Sequence, residues 1–167
     1  MSKYVDSVYK INNNIFVLAP IFVAFYKNLK SNPKNLLLSY LVLPLVLYKT
    51  SQEKIKNSKS TSSIFTFLDS KNKDKRANVY GLPKRVQEYK EITNQCILYA
   101  IENKWLKLNE DMSIVVLEEQ KNNVPSLDDA FKASSKLCNI FQDLDVISIY
   151  RQLGVKKLWK VMLNISE

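Results

Sequence analysis

The chain is predicted to be a mainly α protein with a small β-hairpin, a winged-helix-like α+β single domain, and three observations carry that reading. Apolar residues recur at three- and four-residue spacing over most of the sequence, the period of helices that bury one face. Directly after one such helix, two short apolar runs flank Asn109-Glu110-Asp111, and the second contains strand-forming Ile114-Val115-Val116. With only Gly 2 and Pro 5 in 167 residues there is little material for a linker, so 1–167 reads as one domain. Within it, 1–49 is a helical apolar half, 50–80 a basic loop region, and 81–160 the helix, β-hairpin and C-terminal helices.

In chain order, residues 4–13 form a short helix through Tyr4, Val5, Val8, Tyr9 and Ile11, broken at Asn12-Asn13-Asn14. Residues 15–26 form a second apolar run whose Pro20 suits the first turn of a helix, where its missing N–H costs nothing. After a polar joint, Asn32-Pro33 caps and starts the next helix, which runs to about Lys49 and is kinked by Pro44. Its apolar core, residues 36–47, would be about 18 Å long as a helix, against about 30 Å for a bilayer core. It is not a membrane span. A helix apolar on every side must be covered on every side, by its own domain or by another protein.

Between Thr50 and Tyr80 the composition turns to Ser, Lys and Asn, interrupted by the island Ser63-Ile64-Phe65-Thr66-Phe67-Leu68, a short helix or a strand. Lys71-Asn72-Lys73-Asp74-Lys75-Arg76 reads as a solvated loop, and Gly81-Leu82-Pro83 as a boundary. Residues 85–103 then carry Val86, Tyr89, Ile92, Thr93, Cys96, Ile97 and Ala100 on one helical face. The hairpin that follows completes a winged-helix-like half, or else is an incidental hairpin capping a helical domain. Ser126 before Leu127-Asp128-Asp129 marks a helix start, with Ala130, Ala133, Leu137, Cys138, Ile140 and Phe141 facing inward. A last helix over 146–153 is capped by Asp145 and ended by Gly154. In 155–167, the spacing of Val155, Leu158, Trp159 and Met162 suits a short helix lying on the core or on a partner.

Composition narrows the chemistry. There is no histidine, which removes Ser-His and Cys-His pairs, imidazole metal ligands and a near-neutral acid–base group. Cys96 and Cys138 sit in apolar helical patterns without CxxC spacing and read as buried small hydrophobes of a reducing compartment. Neither glycine lies in a phosphate-binding loop. Asp128, Asp129, Asp143 and Asp145 are the carboxylates an enzyme would need, yet they stand where helix caps are expected. No enzyme, cofactor or metal is therefore expected. The N-terminus lacks the order of a signal peptide, so a cytoplasmic location is expected. The net charge of +9 is concentrated in 49–90, a basic face that suits phosphates or an acidic partner, while 91–167 carries more acids than bases.

Several segments, in order and spacing, resemble one family. They are Asn32-Pro33 with the apolar run to Pro44, Ser62-Ser63-Ile64-Phe65-Thr66-Phe67-Leu68, Tyr80-Gly81-Leu82-Pro83-Lys84-Arg85-Val86, Tyr89, Thr93-Asn94-Gln95 and Trp105-Leu106. Leu144-Asp145-Val146, Ile149-Tyr150-Arg151 and Leu153-Gly154-Val155 complete the set. Over roughly 12–160 the chain resembles the middle component of bacterial three-component ABC systems, the small subunit encoded between an SMC-like ATPase and a variable effector. The resemblance implies a Lamassu-type anti-phage or anti-plasmid defence complex, in which the subunit binds the ATPase and holds or releases a nuclease effector.

Two functions follow as expectations. As an adaptor, the chain would offer Phe16, Phe22, Phe25, Tyr26, Leu37, Tyr40, Leu41 and Trp159 to the ATPase, with most of 36–47 in the core and one side, together with 15–26, left for the partner. As a DNA-binding protein, alone or with double-stranded DNA inside the complex, it would use Lys71, Lys73, Lys75, Arg76, Lys84, Arg85 and Lys90 on phosphates. The acidic hairpin tip and Glu88 and Glu91 oppose the usual docking of a wing on duplex.

Overall fold

The computed structural model describes residues 13–68, 76–142 and 144–155, so the helix expected over 4–13 and nearly all of the segment 155–167 lie outside the described residues. The described helices are α1 (Ile15–Asn28), α2 (Ser39–Val46), α3 (Lys49–Lys56), α4 (Ile64–Leu68), α5 (Leu82–Glu88), α6 (Lys90–Glu102), α7 (Asp128–Phe141) and α8 (Val146–Gln152). Strands β1 (Leu106–Leu108) and β2 (Ile114–Val116) form an antiparallel hairpin between α6 and α7, in the register Leu106↔Val116, Lys107↔Val115, Leu108↔Ile114. This is the mainly helical chain with one small hairpin that the sequence predicts.

Helix α1 is the centre of the core. The Asn14 side chain caps it by accepting the Phe16 N–H at 3.0 Å, which starts the helix early enough to put Pro20 inside it rather than in its first turn. Proline leaves the carbonyl of Phe16, an exposed residue, without its usual helical donor. All nine residues from Leu18 to Tyr26 are buried, because α7 and α6 cover α1 from two directions. The Ser134 hydroxyl ties α7 to α1 through the Ile21 carbonyl at 2.7 Å.

The helix predicted from Asn32-Pro33 to Lys49 is divided in the structure. Lys34 takes a left-handed conformation, φ 63°, and Asn35–Leu38 is a 3-10 turn ahead of α2. Contacts with the hairpin impose this. The Lys34 N–H donates to the Asp111 carbonyl (2.9 Å), the Leu36 N–H to that of Met112 (3.1 Å), and the Asn35 side chain accepts the Ile114 N–H at 2.8 Å. At the far end, α2 contains Pro44 and stops at Val46, short of the Lys49 expected, and the chain turns through extended Tyr48 into α3. Carbonyls freed by the break are taken by the first turn of α3: Ser51 Oγ donates to Leu45 and Tyr48, and Gln52 Nε2 to Val46 at 2.7 Å.

The island at 63–68 resolves as α4, started by a reciprocal pair in which the Ser63 N–H donates to Thr66 Oγ1 at 2.8 Å and the Thr66 N–H to Ser63 Oγ at 3.5 Å. The helix expected over 85–103 begins earlier, after left-handed Gly81, and divides at Tyr89 into α5 and α6. Every residue expected on the inner face of α7 is buried. Its start differs from the sequence reading: Pro125–Leu127 forms a 3-10 turn, and no side chain caps the helix. Asp145 caps α8 by accepting the Ser148 N–H at 3.0 Å, and Gly154 ends it at φ 77°. Two buried phenols pin the opening of the α2 segment: Tyr26 OH lies 2.6 Å from Ser39 Oγ and donates to the Asn35 carbonyl, and Tyr150 OH donates to that of Leu37. Burial raises the pKa of both above the usual tyrosine value. Cys96 and Cys138 are buried free thiols, and burial pushes Cys96 up to about 12.

Candidate partner-binding surface

Most of the apolar side chains expected to meet a partner are inside the chain's own core. Phe22, Phe25, Tyr26, Leu37 and Leu41 are all at most 4% exposed, which corrects the expectation that one side of the two apolar runs is left for an ATPase. With helices on both sides of α1 and the α2 segment tied to the hairpin, no bare side remains at these positions. Tyr40 is half-buried, and its hydroxyl donates to the Asn94 side chain at 2.7 Å. Trp159 lies outside the described residues. Phe16 stands apart at 63% exposed.

Phe16 is the first member of an aromatic ladder. Its ring meets that of Tyr99 edge-on at 5.2 Å between centroids, and Tyr99 meets Trp105 edge-on at 5.3 Å. Edge-to-face pairs of this kind add about 0.5–1.5 kcal/mol each beyond burial and hold the rings in one orientation. Three elements assemble the ladder. The start of α1 lies over α6, where the Cys96 thiol reaches the Ile15 carbonyl at 3.9 Å. Left-handed Lys104 then reverses the chain after α6, with the Trp105 N–H on the Ala100 carbonyl at 2.9 Å. The far end of the hairpin returns alongside, the Leu117 N–H donating to the Trp105 carbonyl at 2.8 Å. Leu117 is itself exposed, as are Val115 on β2 and Leu98 on α6. Sequence periodicity points away from this site, because Leu98 and Tyr99 fall between the buried positions Ile97 and Ala100 of α6.

The basic candidates scatter. Arg85 is half-buried and engaged by the chain itself: its guanidinium stacks on the Tyr48 ring at 3.8 Å, Nε donates to the Pro44 carbonyl at 3.0 Å, and Nη1 to that of Tyr80. Desolvation lowers its pKa from the usual arginine value. It staples α5 to the α2–α3 break and is not presented to phosphates. Lys84 is exposed beside Glu88, 3.7 Å away; Lys90 is half-buried, and Arg76 is exposed near the end of α8. Lys71, Lys73 and Lys75 lie outside the described residues. At the hairpin tip, hydrogen bonds from the Ser113 hydroxyl (2.6 Å) and N–H (3.0 Å) hold Asp111 below the usual carboxylate range, which keeps negative charge there.

Of the aspartates, Asp145 is a cap, Asp129 pairs with Lys56 at 3.0 Å, and Asp128 accepts from the Asn122 side chain at 2.6 Å; Asp143 lies outside the described residues. Among the described residues no group of three or more His, Cys, Asp or Glu could hold a metal ion, and no helix is long and apolar enough to cross a membrane. The aromatic ladder leaves Phe16 exposed on half-buried Tyr99 and Trp105, a surface for apolar contact. The chain matches no curated protein and no solved structure. Residues 2–157 match the family model of Middle Component 3 of ABC-three component (ABC-3C) systems, and the chain belongs to that family.

Proposed function

We propose that the chain is a non-catalytic adaptor that binds an SMC-like ABC ATPase and couples it to a nuclease-type effector, in the cytoplasm, as part of a Lamassu-type anti-phage or anti-plasmid complex. The observation that carries this reading is the ladder Phe16–Tyr99–Trp105 with Leu98, Val115 and Leu117 around it. A chain that buries most of two long apolar runs has no shortage of interior, so apolar groups held at its surface mark a contact site. Aromatic anchors with few rotatable bonds lose little entropy when a partner covers them. Membership of a multi-component family supplies the context. Double-stranded DNA enters this reading only within the complex, since the Arg85 guanidinium is taken up by the chain's own carbonyls and the Tyr48 ring, and the hairpin tip is acidic.

The test is co-expression of the full chain with the other two components of its own system. The wild type is expected to co-purify with the ATPase, and the double variant Phe16→Ala with Trp105→Ala to lose at least about tenfold in affinity, as truncation of two anchors does. A well-behaved wild-type monomer that binds neither component sinks the adaptor reading.

A further inference from the structure

A second surface lies at the opposite end of α5–α6 from the aromatic ladder. It is a groove of about 530 Å³ assembled from three stretches remote in sequence: Tyr48 in the α2–α3 break, residues 76–83 leading into α5, and Leu153-Gly154 after α8. Its walls are set before any ligand arrives. The Arg85 guanidinium stacks on the Tyr48 ring and also donates to the Tyr80 carbonyl, so one half-buried side chain fixes both the ring of one wall and the backbone of the other. The Tyr80 side chain is 78% exposed, more than any other large hydrophobic side chain among the described residues. Across the groove, a Cβ at Gly154 would lie 3.7 Å from Arg76 Nη1, so this guanidinium runs close over bare backbone.

We infer that this groove docks a segment of another component of the system that presents an apolar or aromatic side chain beside a carboxylate. The apolar group lies between Tyr48, Tyr80 and Pro83, and the carboxylate meets Arg76. The inference rests on the adaptor reading and extends it from one contact surface to two.

Charge selects the occupant. No acidic residue lines the groove, and Arg76 makes no ion pair among the described residues. Among the described residues its side-chain hydrogen bond is a long one, Nη2 to the Gln152 carbonyl at 3.5 Å. A guanidinium beside an apolar wall suits a single carboxylate bidentately. It does not suit a nucleic acid, which needs several cations tracking successive phosphates, whereas among the described residues the groove lining supplies this one cation. A second copy of this chain is disfavoured as well, because each copy carries a net charge of +9.

The experiment uses the full chain carrying the photo-crosslinking residue p-benzoylphenylalanine at position 80, mixed with the purified ATPase and effector components, with cross-linked peptides identified by mass spectrometry. In parallel, Arg76→Glu, Tyr80→Ala and the control Lys84→Glu are titrated against each component at low and high salt. Each replaced side chain is exposed, and matching thermal melts confirm folding. The expected result is a cross-link to one component at a peptide containing Asp or Glu, with Arg76→Glu weakening that component about tenfold or more and steepening off with salt, and Lys84→Glu changing it less than about twofold. Cross-links within this chain, to a second copy, to nucleic acid or to a peptide without a carboxylate overturn the proposal. So does a complex that forms normally with Arg76→Glu and Tyr80→Ala. If the wild type forms no complex at all, the adaptor reading itself fails, an outcome distinct from a complex indifferent to the groove.

Discussion

Helices α1 and α6 lie against each other, yet they solve opposite problems. Nine consecutive residues of α1 are buried, whereas α6 buries Ile92, Thr93, Cys96, Ile97 and Ala100, exposes Asn94, Gln95 and Leu98 between them and leaves Tyr99 half-buried. The more apolar helix contributes one exposed anchor, Phe16, and the less apolar one contributes Leu98 and Tyr99. Unbroken apolarity therefore marks the interior of this fold. The proposed partner surface is marked instead by large apolar residues that fall off a helix's own periodic stripe.

That contrast breaks most visibly at Phe25. Its ring packs edge-on against Tyr26 at 4.9 Å and Phe141 at 6.1 Å and is fully buried. Phe25→Ala is expected to cost about 3–5 kcal/mol, read as a shift in the urea midpoint at constant slope. Phe16→Ala is expected to cost only about 0.5–1.5 kcal/mol, the worth of its edge-on pair with Tyr99, while weakening partner binding. Equal destabilisation by the two would erase the distinction between core and contact surface.

A smaller loss is expected where a charge is half-buried. Arg85→Met keeps an apolar stem on Tyr48 but removes the donors to the Pro44 and Tyr80 carbonyls. Loss of hydrogen bonds from a charged group predicts about 1.5–3 kcal/mol, and no change in salt-dependent duplex binding. A variant with wild-type stability and reduced duplex binding would return Arg85 to the surface role read from the sequence.

The sequence reaches some of this by local physics alone. The inner face of α7, the Asp145 cap, the Gly154 stop and the hairpin with its polar turn all follow from periodicity and capping chemistry. What it misses is set from a distance. The 34–36 segment takes a left-handed residue and a 3-10 turn because hairpin carbonyls and an N–H from β2 bond to it, and nothing near Asn32-Pro33 announces that. The ladder is hidden for a related reason: Phe16, Tyr99 and Trp105 belong to three stretches that only the tertiary fold brings together.

The smallest expected effects separate two caps. Asn14 holds the start of α1 and Asp145 that of α8, each through one side-chain acceptor. Asn14→Ala is expected to cost about 1 kcal/mol, equally at neutral and acidic pH, because the acceptor carries no charge. Asp145 behaves differently: hydrogen bonds from the Ser148 hydroxyl (2.6 Å) and N–H hold its pKa below the usual carboxylate value. A folded pKa below the unfolded one, about 3.9, gives stability that is complete above that unfolded value and lost as pH falls through the folded one. Asp145→Asn keeps an acceptor for the backbone N–H but no charge near the helix N-terminus, so it is expected to cost about 0.5 kcal/mol at pH 7, discounted for exposure. The difference between wild type and variant should then shrink toward zero near pH 2. Urea melts of both proteins at the two pH values measure it, and a gap that stays constant would mean that the cap at α8, like the one at α1, works by geometry alone.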